Sequence, residues 1–120
     1  MMDVRLADRN FGDCEIHAIS FLNGSAYFKI FDPHETAFFT LVFHAVDALL
    51  FATTHTQNVI ETIRVFDSLD ALRSDPDASR FFAKIEPPRS SPGSPQKFAY
   101  IVPITGGETF VSFTDLTIEE

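Results

Sequence analysis

Two turn signals, Asn23-Gly24-Ser25 and Gly106-Gly107, each sit between runs rich in Ile, Phe, Val and Tyr. They constrain the fold more than any other feature, because a glycine-centred turn between two β-forming runs specifies an antiparallel hairpin. The first joins CEIHAISFL, from Cys14, to AYFKIF, from Ala26. The second joins FAYIVPI, from Phe98, to ETFVSF, from Glu108. Both glycines of the second turn are expected at positive φ. Asn23-Gly24-Ser25 also fits the N-glycosylation acceptor pattern, but that pattern matters only in a secreted chain, and Met1 to Asp13 reads as neither a signal peptide nor a lipidation signal. Turn chemistry explains the triplet.

The chain between these hairpins continues the theme. Asp32-Pro33-His34-Glu35-Thr36 breaks the pattern, since Pro33 cannot donate to a ladder and biases Asp32 toward an extended or turn conformation. From Ala37 to Thr54, Ala37, Phe39, Leu41 and Phe43 alternate as on a strand, whereas Val42, Val46, Leu49 and Leu50 fall at helical spacing. The density of Phe, Thr and Val favours strands. NVIETIRVF, from Asn58, is a further strand, and Leu116 to Glu119 adds a final edge strand.

Composition changes at Asp67. Asp75 is placed as a helix N-cap with Pro76 at the first helical position, so one short helix is predicted around residues 75–85, with Phe81, Phe82 and Ile85 as its apolar stripe. Residues 86–96, EPPRSSPGSPQ, hold four of the seven prolines and are predicted to be a mobile Pro/Ser-rich loop. Residues 1–120 then form a single domain. Its predicted class is mainly β, an antiparallel sandwich or open barrel of about 7–8 strands with one short helix, with α+β as the alternative. Fourteen Phe residues, with two Tyr and no Trp, supply most of the core.

Charge and cysteine usage narrow the function classes. Nine Lys and Arg against 17 Asp and Glu give a net charge of −8, which argues against nucleic-acid binding, because phosphate neutralisation needs clustered cations. One cysteine, Cys14, cannot form an internal disulfide, and a reducing, cytoplasmic setting is the simpler reading. The longest apolar stretch, Ala37 to Ala52, is 16 residues long and carries His44 and Asp47. It falls short of the ~20 residues of a membrane helix, so no membrane contact is expected.

No catalytic motif emerges. His17, His34, His44 and His55 lack the i, i+4 spacing with an intervening acid that a zinc hydrolase helix uses, and no metal site or cofactor is expected. Cys14 and His17 stand three apart on a strand and would point to opposite faces unless a bulge intervenes. Gly106-Gly107 lacks the following Lys and Ser or Thr of a phosphate loop. The protein is read as a non-enzyme.

The placement of charge is more informative. No Lys or Arg occurs from Ile30 to Ile63 or from Phe98 to Glu120, and Asp67, Asp70, Asp75 and Asp77 crowd a segment whose cation is Arg73. An acidic surface of this kind steers cationic proteins. Asp67, Asp70, Asp75, Asp77, Glu108, Asp115 and Glu119 are the candidate partner-binding residues, with exposed Phe or Tyr beside them as the source of affinity.

The order of motifs carries a resemblance. It runs Asp13-Cys14-x-Ile16-x-x-Ile19-x-Phe21, then Phe31-Asp32-Pro33, Leu41-x-Phe43-x-x-Val46 and Asn58-Val59-Ile60-x-x-Ile63, closing with the double glycine between Phe98 and Phe113. In this order the chain resembles a group of small acidic bacterial proteins, some of them described as immunity proteins of polymorphic toxin systems. The Pro/Ser-rich loop departs from the compact pattern of that group. The resemblance implies a cytosolic antidote that binds a cognate toxin domain and blocks its active site or substrate path. The expectation is therefore a non-enzymatic protein that docks on and inhibits a cognate, basic bacterial toxin domain. The alternatives are a structural or accessory β domain that self-associates, as a homodimer, and a small-ligand binder or enzyme built around a pocket.

Overall fold

The computed structural model describes residues 11–52, 58–82 and 96–120. The fold is mainly β: among the described residues eight strands form one antiparallel sheet, with two short helices. The strands are β1 (Glu15–Leu22), β2 (Ser25–Asp32), β3 (Ala37–His44), β4 (Ala48–Ala52), β5 (Val59–Phe66), β6 (Lys97–Thr105), β7 (Glu108–Phe113) and β8 (Asp115–Glu119). Helices α1 (Leu69–Arg73) and α2 (Pro76–Phe82) lie between β5 and β6. Sheet order is β4-β7-β6-β5-β1-β2-β3-β8.

The ends of that order are tied by the chain itself. Strand β3 passes into β4 through Ala45, which takes a φ of +52°, and β7 passes into β8 through Thr114. Ladders β3–β8 and β4–β7 are therefore two halves of one bent ribbon, stitched at the bend by Thr114 N donating to His44 O (2.9 Å) and Asp47 N donating to Ser112 O (2.9 Å). The ribbon curls the sheet into an open barrel. Its loosest seam is β1–β5, where the ladder pairs Glu15 with Val59 and flanking bonds run from Ile16 N to Asn58 O and from Ile60 N to Cys14 O.

Both predicted strand pairs form antiparallel hairpins, but only the first closes on the predicted two-residue turn, since the β6–β7 ladder ends at Ile101 with Thr109 rather than at Thr105 with Glu108. Asn23 and Gly24 have φ of +51° and +78°, the two positive values that a two-residue turn of type I′ needs, and they set the pairing of Leu22 with Ser25. At the second turn Gly106 alone of the glycine pair is at positive φ, +103°, so the expectation for Gly107 is corrected. Asp32 Oδ1 accepts from His34 N (2.9 Å), an Asx-type bond that turns the chain between β2 and β3.

Alternation sends one set of side chains inward. Phe28, Ile30, Phe39, Leu41, Phe43, Ile101, Val111, Phe113, Leu116 and Ile118 share one buried core. Phe43 meets Phe28 and Phe113 edge-on, with ring centroids 5.1 and 5.0 Å apart. Each such Phe contributes about 1.5–3 kcal/mol of burial, which makes these rings the main cement of the barrel. A second, smaller cluster lies on the outer face of β6 and β7, where Phe98, Tyr100 and Phe110 pack under Leu72 of α1 and Ala78 of α2.

Two helices replace the one predicted. Ser68 caps α1, accepting from Ala71 N (3.1 Å), and Asp70 and Arg73 sit at the ends that suit the helix dipole. Five residues are too few to leave a periodic signature, and fully buried Leu72 is what docks the helix. The second helix starts as predicted: Asp75 Oδ1 accepts from Asp77 N (3.0 Å) and Ala78 N (3.1 Å), with Pro76 first in the helix. Phe81 and Phe82 close α2, while Ile85, the third residue of the expected apolar stripe, and the predicted loop 86–96 apart from Gln96 lie outside the described residues. Among the described residues no helix is long and apolar enough to cross a membrane.

Candidate functional site

The outer face of β5, β6 and β7 carries an apolar platform at one end and charge at the other. Registered pairs place Arg64 beside Tyr100 and Tyr100 beside Phe110. Next to this row opens a cleft of about 410 Å³ lined by Glu61, Arg64, Asp77, Arg80, Tyr100, Val102, Pro103 and Glu108.

Each charged group reaches the cleft for a local reason. Glu61 sits where the β5–β6 register shifts between Ile60 and Thr62; such a bulge re-aims a side chain that strict alternation would have placed otherwise. Arg64 is the cation in the middle of an otherwise apolar strand end. Its Nη1 donates to Asp75 Oδ1 (2.9 Å), Asp75 Oδ2 (3.0 Å) and Asp77 Oδ2 (3.0 Å). Arg80, one turn along α2, donates to the other Asp77 oxygen. Glu108 is the first residue of β7, and Tyr100 hydrogen-bonds its carboxylate.

Electrostatics follow from these contacts. The Arg64 hydrogen bond, then that of Arg80, holds the Asp77 carboxyl below its ordinary value, and the same Asp77 bond keeps the Arg64 guanidinium more firmly protonated. Burial, reinforced by the charge and hydrogen bond of Glu108, pushes the Tyr100 phenol up to about 12. Tyr100 is thus a neutral donor to Glu108. The other oxygen of that carboxylate, Oε2, is buried and has no hydrogen-bond partner.

No known protein family, curated protein or solved structure matches this chain. The chemistry of the cleft has to be read from its own groups. Three carboxylates, on Glu61, Asp77 and Glu108, line the cleft with two guanidiniums, and both guanidiniums already bond carboxylates, Arg64 that of Asp75 outside the lining as well as Asp77. The arrangement offers acceptors. A cationic or multiply donating group is what it can receive, with the Tyr100 ring and Val102 as an apolar side wall.

The seven acidic residues singled out in the sequence divide among separate places. Asp77 and Glu108 line the cleft, and Asp75 stands beside it, bonded to Arg64. Asp67 and Asp70 are exposed around the start of α1 and do not line the cleft. Asp115 begins β8, where its Oδ1 accepts from Leu116 N (2.9 Å), and Glu119 lies at the far end of that strand on another face of the barrel. Sequence reasoning missed Glu61, Arg64, Arg80 and Tyr100. A signal for Arg64 existed, since a cation inside IETIRVF has to find an acidic partner or solvent. The Glu61 bulge left none.

The expectation for Cys14 and His17 turns on a bulge that does exist. The β1–β2 register shifts between Ile16 and Ala18, yet Cys14 is buried in the core while His17 is exposed against Phe31 and Phe38. The two residues serve different surroundings. Among the described residues no three His, Cys, Asp or Glu side chains are grouped to hold a metal ion; His55 lies outside them.

Proposed function

We propose that the chain is a non-enzymatic binding protein that docks on a basic protein partner and receives a cationic side chain of that partner in the Glu61–Glu108 cleft. The observation that carries this reading is Glu108 Oε2, a buried carboxylate oxygen without a donor beside a cleft in which acids outnumber cations. A Lys or Arg from a partner supplies the missing donor once the Glu108 carboxylate turns that oxygen into the cleft. The net charge of −8 supports the same choice, because it accelerates encounter with a positively charged protein.

Taken with the resemblance described above, the finer reading is an immunity-type antidote acting in the bacterial cytoplasm on a cognate toxin domain. Inhibition then requires only that the docked chain cover the toxin's active site or substrate path. The test is affinity capture from the native host with the tagged chain, followed by expression of the captured protein alone and together with this one. A captured basic protein that is toxic alone and harmless in company supports the antidote. A partner that is harmless alone removes the antidote and leaves the binding protein, and the absence of any stable partner contradicts both.

A further inference from the structure

The outer face of β1, β2, β3 and β8 is a second surface, and it shares no residue with the cleft. Ladder register lays Ala18, Lys29, Thr40 and Glu119 in one row across four strands, and Ser20, Tyr27, Val42 and Thr117 in the next. An apolar groove of about 530 Å³ lies over the first row and the Ser20–Tyr27 end of the second, its lining including Leu22, Tyr27, Lys29, Phe38 and Glu119, whereas Val42 is already buried within the chain. Leu22 on β1 is 61% and Phe38 on β3 is 47% exposed, two large apolar side chains left open on one face with β2 between them. Phe38 gathers its neighbours: Lys29 Nζ lies 4.7 Å from its ring centroid, Phe31 5.1 Å and His17 5.2 Å.

We infer that this face is the interface of a homodimer in which β3 packs over β3 of a second copy, with Lys29 paired to Glu119 across a two-fold axis. The charges select the occupant. Lys29 and Glu119 lie one strand to either side of Thr40 in a single row. A two-fold axis running along β3 exchanges those two positions, so each Lys29 faces the Glu119 of the other copy and Phe38 meets its own counterpart near the axis. An axis across the strands would instead set Lys29 on Lys29 and Glu119 on Glu119. That pairing is disfavoured by like charge. A row carrying one cation and one anion symmetrically about its centre is complementary to itself, whereas a strongly basic partner would meet Lys29 at the middle of the patch.

Aligned sheets pack roughly 10 Å apart, a gap that Phe, Tyr and Leu side chains from both faces fill. The cleft over β5, β6 and β7 stays open in such a dimer, so two partners can be held at once.

Sedimentation equilibrium on the full chain tests the proposal, with Lys29→Glu, Glu119→Lys and the double exchange. The wild type is expected to be a dimer. Each single change sets like charges face to face and should raise the dimer dissociation constant about tenfold or more, with circular dichroism unchanged because both side chains are exposed; the double exchange should restore it to within about threefold. A wild type that is monomeric at every concentration overturns the proposal. So does a dimer indifferent to both single changes, or one that the double exchange fails to restore. None of these results bears on the cleft.

Discussion

Arg64 Nη1 lies 2.9 Å from Asp75 Oδ1, so a strand residue of β5 grips the same side chain that caps helix α2. One carboxylate thus ends two sets of otherwise unsatisfied donors, the backbone N–H groups of the first helical turn and a guanidinium above the sheet. Asp75→Ala should cost about 1 kcal/mol for the lost cap alone, read as a lower denaturation midpoint. Asp75→Asn keeps a capping oxygen and should lose less. A double-mutant cycle with Arg64→Ala is expected to give a coupling of about 0.5–1 kcal/mol, modest because the guanidinium is 36% exposed.

Tyr100 ionises late. Its folded pKa of about 12 lies above the ordinary 10.0, so the neutral phenol is the form the fold stabilises. That contribution is complete below pH 10 and is lost as pH rises from there through 12. Difference titration of phenolate absorbance should show one step near pH 12 that Tyr100→Phe removes, and the variant's stability should fall less steeply across that window.

Asp77 behaves in the opposite sense. Its folded pKa lies below the ordinary carboxyl value of 3.8, so its stabilising contribution is present above that pH and disappears as the solution is acidified through the folded value. In Asp77→Asn the acid limb of the stability curve should be shallower, and urea midpoints measured from neutral to strongly acidic pH will show it.

Thr36 closes the β2–β3 turn with a φ of +49°, a left-handed conformation that a β-branched residue adopts at a cost. Thr36→Gly should raise stability by about 0.5–1 kcal/mol, after the greater freedom of glycine in the unfolded chain is deducted. A higher melting temperature checks this.

The hairpins were legible in the sequence because their information is local. Asn23-Gly24 carries its own turn geometry, and Phe28, Ile30, Phe39 and Leu41 announce their face by alternation. Long-range features were not. Nothing near Val59 says that β5 will pair with Glu15, and the bent ribbon exists only because cation-free β3 and β4 find cation-free β8 and β7 across the chain. The cleft suffered most from this. Asp75 and Asp77 were found as acids at a helix start, but their engagement by Arg64 depends on how α2 lands on β5. Glu108 and Glu119 share a cation-free stretch of sequence, but they belong to different surfaces, Glu108 to the cleft and Glu119 to the face of β8.

Binding of the captured basic partner to Glu61→Lys is the most direct measurement of the proposed function, made by surface-based kinetics alongside Glu108→Gln and the outlying control Asp67→Lys. Glu61 is exposed in its bulge, so its reversal should leave the fold intact while placing a cation where the partner's cation docks. Dissociation at least about tenfold faster for Glu61→Lys, with a smaller loss for Glu108→Gln and little change for Asp67→Lys, is the expected result. Equal dissociation rates for wild type and Glu61→Lys would contradict the assignment of the cleft as the binding site.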